Sequence, residues 1–237
     1  TPLYSSAASD VYKRQTATVT AVVGDGVVLN RTAFYPQGGG QPSDRGVLRD
    51  DSGVEYAVSK VQRAEGQVVH KIEGALPSVR SQVGGAIDWE HRYKLMRTHT
   101  ALHILCGVIW RDYGASVTGG NMEPLKARMD FELESMSAAF SDEVEAKINE
   151  EVLAARPVRV EILPREEAFQ IPDLIRTKIN LLPEGIREVR VVEIEGLDLQ
   201  ADGGTHVANT REVGHIVVAG HESKGRINKR LRIEIEE

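Results

Sequence analysis

Among its 237 residues the chain has a single cysteine, Cys106. No internal disulfide can form, and no multi-cysteine zinc or iron–sulfur site can be built. That scarcity fits a reducing, cytoplasmic setting. Long apolar runs are missing as well, which leaves no transmembrane helix. Excess positive charge is the third absence: 29 Lys and Arg face 35 Asp and Glu, a net charge of −6. This argues against indiscriminate DNA binding but leaves room for a local basic patch. With 41% hydrophobic and 27% charged residues, the composition is that of a globular chain with a sizeable core. Residues 1–15, TPLYSSAASDVYKRQ, show no period and no charged stretch leading into an apolar one. They are not a signal peptide, and we read them as an artefactual or disordered start outside the fold.

From residue 16 to 88 the signals are almost all strand and turn. TATVTAVV runs through Gly24-Asp25-Gly26 into VVLN, a hairpin signature. VEYAVSK, QVVHKIE and SVRSQVGGAI follow at the short spacing of a small β-barrel or sandwich. Residues 1–88 carry nine basic and nine acidic residues, so the net negative charge belongs to residues 89–237. At Asp88, a candidate N-cap, the period changes to helical from Trp89 to Tyr113, and Gly114 stands as the C′ residue. ARMDFEL alternates as a half-buried strand, and Ser141 to Ala155 returns to helix with Val144, Ile148 and Val152 four apart. VRVEIL, EVRVVEI, HIVVAG and INKRLRIEIE supply strands, with a short helix around Arg165 to Phe169. The expected class is α+β: a barrel domain over 16–88, then a two-layer domain over 89–237 with a mostly antiparallel sheet.

Four motifs carry potential chemistry. RTHTALH places His99 and His103 four apart on the long helix, one turn apart on one face, a spacing that suits two bonds to one tetrahedral metal. Thr100 stands where the HExxH pattern needs its glutamate, so this is not a metalloprotease motif. Alone, the pair also fits two polar residues on a helix side. LQADGGTHV adds Asp202 and His206, and Gly203 and Gly204 allow positive φ and close backbone approach, so that a tight loop can bring the two side chains together; alone, it also reads as a polar turn between strands. Together the two motifs offer three histidines and one carboxylate, the usual ligand count for zinc.

FYPQGGGQPSDRG contains Gly38, Gly39 and Gly40, whose amides could hold a phosphate or a sugar edge. It lacks the Lys-Ser/Thr of a P-loop, and it also reads as a plain barrel loop. In SKGRINKRLR, Lys224, Arg226, Lys229, Arg230 and Arg232 put five positive charges in nine residues with no acid among them. That is either a phosphate-seeking patch or a charged strand edge. Cys106, three residues after His103, reads as a small core residue.

RTHTALH, QADGGTHVANTREVG and SKGRINKR, in this order and spacing, resemble the editing domain of alanyl-tRNA synthetases. More specifically, the chain resembles the free-standing AlaX proteins. The Gly-rich loop is similar to that of the medium-length subgroup, whose β-barrel precedes the editing domain. The resemblance covers residues 16 to 237. It implies one Zn2+ per chain on His99, His103, Asp202 and His206, with Asp202 at a position where cysteine is the commoner residue. It also implies a threonine near the serine pocket, for which Thr118 in VTGG is the candidate. The implied activity is ATP-independent deacylation of tRNA(Ala) mischarged with serine or glycine, with Gly38, Gly39, Gly40, Lys224, Arg226, Lys229 and Arg230 on the tRNA. DNA and membrane are not implied partners. An inactive tRNA- or protein-binding module of the same fold is the alternative, motivated by the cysteine-to-aspartate departure. A small-molecule metallohydrolase acting on other esters or amides is a third reading.

Overall fold

The computed structural model describes residues 13–177 and 185–236. The reading of residues 1–12 as a start outside the fold lies beyond the described residues, whereas Arg14 and Gln15 already belong to the first strand. The chain forms two compact units that part between Lys94 and Leu95.

In the first unit, six strands close into a barrel: β1 (Arg14–Val23), β2 (Gly26–Leu29), β3 (Gly46–Asp50), β4 (Glu55–Ala64), β5 (Gln67–Glu73) and β6 (Gln82–Ile87), in the order β1-β2-β5-β4-β3-β6. Closure comes from β6, which pairs antiparallel with both β3 and β1, so no edge is left to solvent. Along β6 the inward positions are Val83, Gly85 and Ile87. Val83 and Ile87 join Val19, Val27, Phe34, Leu48, Val58, Val61 and Ile72 in one apolar core. The small bore demands glycine at Gly46, where a Cβ would run into the Ala86 carbonyl and the Phe34 ring.

His70, on β5, is a polar exception inside this core and is fully buried. Its Nδ1 lies 3.2 Å from the Val27 carbonyl, which can only accept, so Nδ1 carries the proton. Nε2 then accepts from the Thr32 hydroxyl at 2.8 Å, and Thr32 in turn accepts the Phe34 N–H. Burial pushes the imidazole pKa down to about 4, against the opposing Val27 hydrogen bond. The folded chain therefore keeps His70 neutral, while the unfolded chain protonates it below about pH 6.5. Stability from this group is complete above pH 6.5 and falls as the pH drops toward 4, by about 3 kcal/mol in all. Urea denaturation between pH 7 and 4.5 should show a shallower pH dependence in His70→Gln than in the unsubstituted protein. Equal slopes would refute this.

The second unit opens within α1 (Trp89–Tyr113). The Asp88 Oδ1 accepts the His91 N–H at 3.1 Å, the expected cap, and Gly114 ends the helix with φ 63°. Every residue from Thr98 to Ile109 is buried, as in a helix surrounded by protein on all sides. Two antiparallel sheets follow. One has the order β12 (Ile216–Gly225), β13 (Asn228–Ile235), β8 (Lys126–Phe131), β7 (Val117–Glu123); the other has the order β11 (Asp198–Ala201), β10 (Glu188–Ile194), β9 (Val158–Pro164). α2 (Ala138–Leu153) is capped by Ser137, whose Oγ accepts the Phe140 N–H, and it buries Val144, Ile148 and Val152. α3 (Arg165–Ala168) is the short helix. The α+β expectation holds: a closed barrel, then antiparallel sheets with a few helices.

Candidate metal centre

His99 and His103 project from the buried middle of α1, and Asp202 and His206 from the loop after β11. The four side chains each offer one ligand atom, and these atoms all lie within 4.8 Å of one another. Three imidazoles crowd together with ring centroids 5.2, 4.4 and 4.7 Å apart. The Asp202 Oδ1 is 3.5 Å from His99 Nε2 and its Oδ2 is 2.9 Å from His206 Nε2. Edges of a tetrahedron around zinc with bonds of about 2.0–2.1 Å are roughly 3.3 Å; the donor set, gathered within 4.8 Å, is compatible with a bound metal ion. The 3.5 Å separation is too long for a good hydrogen bond, yet close to such an edge.

The tight loop brings Asp202 and His206 together without using the positive φ that its glycines allow. Gly203 and Gly204 are not among the glycines with positive φ. Instead, the Asp202 Oδ2 accepts the Gly204 N–H at 2.7 Å, folding the loop back on its own carboxylate. Arg190 on β10 adds an Nη1 hydrogen bond of 2.9 Å to the Asp202 carbonyl. An aspartate at this position thus shapes the loop as well as facing the imidazoles.

Electrostatics suit a cationic occupant. Burial pushes the His99 pKa down to about 4, with Asp202 opposing. His206 is driven well below its ordinary value by burial and by the neighbouring His99. Both rings are neutral near pH 7, the form that offers a lone pair to a metal. Burial alone would raise the Asp202 carboxyl, but the facing imidazoles and the His206 hydrogen bond hold it well below the carboxylate range. His103 differs: burial opposes its charge, but the Asp198 hydrogen bond and the neighbouring carboxylates outweigh it, and its pKa is raised.

Three further residues complete the surroundings. The Thr100 Oγ1 accepts the Val207 N–H at 3.2 Å and lies 3.2 Å from His206 Nδ1. This threonine, which replaces the metalloprotease glutamate, therefore ties the loop to the helix. Asp198, which the motifs do not reveal, meets His103 Nδ1 at 2.9 Å through Oδ2. Gly107, one turn beyond His103, permits the approach: a Cβ there would be 2.9 Å from Leu197 Cγ and 3.1 Å from Asp198 Cβ. Cys106 is buried, and burial raises its thiol pKa, which suits a core residue.

The remaining sequence candidates fall elsewhere. Thr118 is exposed on β7, and its hydroxyl donates to Asn228 Oδ1 at 2.8 Å. Among the described residues, no hydrogen bond links it to the four donors. Gly38 and Gln41 exchange backbone hydrogen bonds of 3.2 and 2.9 Å around Gly39 (φ 58°) and Gly40 (φ 83°). Both central φ values are positive, as a type I′ turn requires. The C-terminal basic run is partly taken up by the fold. Lys229 is buried with its Nζ donating to the Gly225 and Arg226 carbonyls, and Arg230 grips both Asp130 oxygens at 2.6 and 2.8 Å. Lys224 pairs with Glu222 at 2.9 Å while remaining exposed, as does Arg226.

Comparisons with known proteins bear on both units. Residues 6–91 match the family description "tRNA synthetases class II (A)", and residues 189–232 match "Threonyl and Alanyl tRNA synthetase second additional domain". The chain is 41% identical over 216 residues to the alanyl-tRNA editing protein AlaX-M of Saccharolobus solfataricus, covering 90% of each. It is 38% identical over 229 residues to the protein of that name from Methanosarcina barkeri, covering 94% of each. It is also 41% identical over 209 residues to the alanine–tRNA ligase of Pyrococcus abyssi, covering 85% of this chain and 22% of the ligase.

Proposed function

The chain belongs to the AlaX-M alanyl-tRNA editing proteins, and from that premise we propose that it deacylates tRNA(Ala) mischarged with serine, and also with glycine, at a zinc site formed by His99, His103, Asp202 and His206. The observation that carries this is the convergence of three buried imidazoles and one carboxylate within 4.8 Å. The biological demand follows from pocket chemistry. A site shaped for alanine cannot exclude glycine by size and rejects serine poorly, because serine only adds a hydroxyl. A second, hydrolytic site must then remove the wrong amino acid.

Zinc, when bound, would supply Lewis acidity toward the aminoacyl ester. The chain's own part is to hold the ion through four buried side chains, with neutral rings at His99 and His206 and an ionised Asp202. A carboxylate is a harder donor than the thiolate common in the family, so zinc should be favoured less strongly over manganese or iron. Thr118 is proposed to sense the serine hydroxyl. The exposed cations Lys224 and Arg226 offer phosphate contacts, with Lys229 and Arg230 shaping the hairpin that carries them. A cytoplasmic setting, where charged tRNA is found, goes with this reading. Release of serine from Ser-tRNA(Ala), with Ala-tRNA(Ala) as the control, tests it. Equal release from both substrates, or from neither, would overturn it.

The Gly-rich turn enters as a binding element. Its groups are backbone amides, with nothing that titrates. A Cβ at Gly39 would meet nothing within 4 Å, so a side chain there projects into open space. Asparagine tolerates the left-handed backbone. Gly39→Asn should therefore keep metal content and melting temperature nearly unchanged while raising the KM for charged tRNA several-fold. Loss of metal in this variant would contradict the assignment.

A further inference from the structure

We propose that Asp198 is a positioning residue for the candidate metal centre: its buried carboxylate fixes the proton of the His103 imidazole on Nδ1 and so leaves Nε2 as the ring atom that faces the other donors. The proposal rests on the metal-holding reading of the four side chains, and its experiment separates the two.

The argument starts from what Asp198 Oδ2 already does. It accepts a hydrogen bond of 2.7 Å from the Gln200 side-chain amide. As a carboxylate Asp198 has acceptors only, so the 2.9 Å contact with His103 Nδ1 has one polarity: the imidazole donates. In a neutral ring with hydrogen on Nδ1, the lone pair is on Nε2. His206 differs: its carboxylate contact is with Asp202 itself, through Nε2 at 2.9 Å. Asp198 is thus the group that removes the ambiguity at His103.

The surroundings show that this carboxylate is placed at a cost. Its side chain has no exposure, and the guanidinium Nη1 of Arg176, itself 10% exposed, lies 4.0 Å from Oδ1. Among the described residues, neither of those two atoms has a hydrogen-bond partner. A buried acid with one oxygen left unmatched weakens the structure, by the desolvation penalty of that atom. A residue kept for packing alone would not need the charge. What the carboxylate does achieve is orientation. Its strand residue is brought against α1 by Gly107, whose missing Cβ lets Leu197 and Asp198 approach to about van der Waals contact. Partners of metal-binding histidines commonly act in this way, and their loss weakens metal affinity by about 10–100-fold.

The test uses the full chain with two substitutions. Asp198→Asn keeps shape and an acceptor, since the Gln200 amide holds the asparagine oxygen toward His103; Asp198→Ala removes the acceptor. In metal-free protein labelled with 15N-histidine, long-range 1H–15N correlation should show His103 protonated at Nδ1 in the unsubstituted and Asn forms. In the Ala form it should show a mixture of both tautomers. Zinc affinity, by chelator competition, should fall about 10–100-fold in Asp198→Ala and recover most of that in Asp198→Asn. A neutral His103 ring protonated at Nε2 and not at Nδ1 in the unsubstituted protein, recorded at a pH above its raised pKa, would overturn the proposal. So would an Ala variant that keeps both the tautomer and the zinc affinity. If the unsubstituted protein binds no zinc, the metal reading fails on its own, and the tautomer spectra still decide what Asp198 does to His103. If Asp198→Ala does not fold, the Asn form decides: Nδ1 protonation with zinc affinity close to that of the unsubstituted protein supports the proposal, and loss of either overturns it.

Discussion

His99→Ala and His103→Ala should each weaken zinc binding more than about 100-fold and abolish deacylation. Each removes one arm of a clamp whose geometry comes from a single helix. Residues four apart on α1 stand one turn apart on one face, and the helix is rigid here because it is buried all round from Thr98 to Ile109. Cys106, three residues beyond His103, is a poor replacement for the lost nitrogen, because burial keeps its thiol protonated. Loss of a ligand should exceed the 10–100-fold typical of an orienting partner. Asp202→Ala should behave like the histidine variants if its carboxylate binds the ion. Asp202→Cys should retain activity and shift metal preference toward zinc, because thiolate is softer. Metal content and chelator competition check each variant. A His103→Ala protein that holds zinc as tightly as the unsubstituted chain would refute the ligand assignment.

The largest stability loss should follow from Asp44→Ala. Arg92, on the first turns of α1, donates from Nε to Asp44 Oδ1 at 2.7 Å and from Nη2 to the other carboxylate oxygen. It also donates to the Ala33 carbonyl at 2.9 Å. Asp44 Oδ2 accepts the Tyr35 N–H at 2.6 Å. The side chains are 5% and 0% exposed, so the pair is a dry, hydrogen-bonded knot that closes the Gly-rich loop between Tyr35 and Asp44. Removing only the acid strands a guanidinium in the interior, a change that costs about 3–5 kcal/mol. That is a large share of a total folding stability of about 5–15 kcal/mol. Replacing both partners with apolar residues, Asp44→Leu with Arg92→Met, should cost less than the single change, since no unpaired charge remains. Urea denaturation of the three proteins measures this. A single variant within 1 kcal/mol of the unsubstituted chain would show the pair to be unimportant.

Local chemistry made α1 legible from sequence down to its end residues. Asp88 caps it, Gly114 stops it, and the HxxxH spacing within it needs no knowledge of the rest of the fold. α2 was legible in its apolar face but not in its start, because Ser137 caps it through Phe140, a position with no period to mark it. Three strands escaped notice, β3 among them because only five residues separate the Gly-rich loop from the next turn. β7 contains Gly119 and Gly120, which break the alternation, and β11 has only four residues.

Gly203 and Gly204 allow a left-handed turn, yet the Asp202 carboxylate closes that loop by accepting an amide. The basic C-terminal run carried no acid in its own sequence, but strand pairing supplies them: Asp130 lies opposite Arg230, and Glu222 meets Arg232. Asp198 was hidden because its role depends on contact with a histidine 95 residues away. Periodicity shows only that Asp198 and Gln200 share a face of their strand; it does not show what that face meets.

The most direct test of a metal-dependent editing site is to strip the protein with a chelator and follow release of serine from Ser-tRNA(Ala) as zinc is returned. The arrangement of His99, His103, Asp202 and His206 predicts no release above background from stripped protein and full recovery at one zinc per chain. Full activity in protein shown to be free of metal would contradict it.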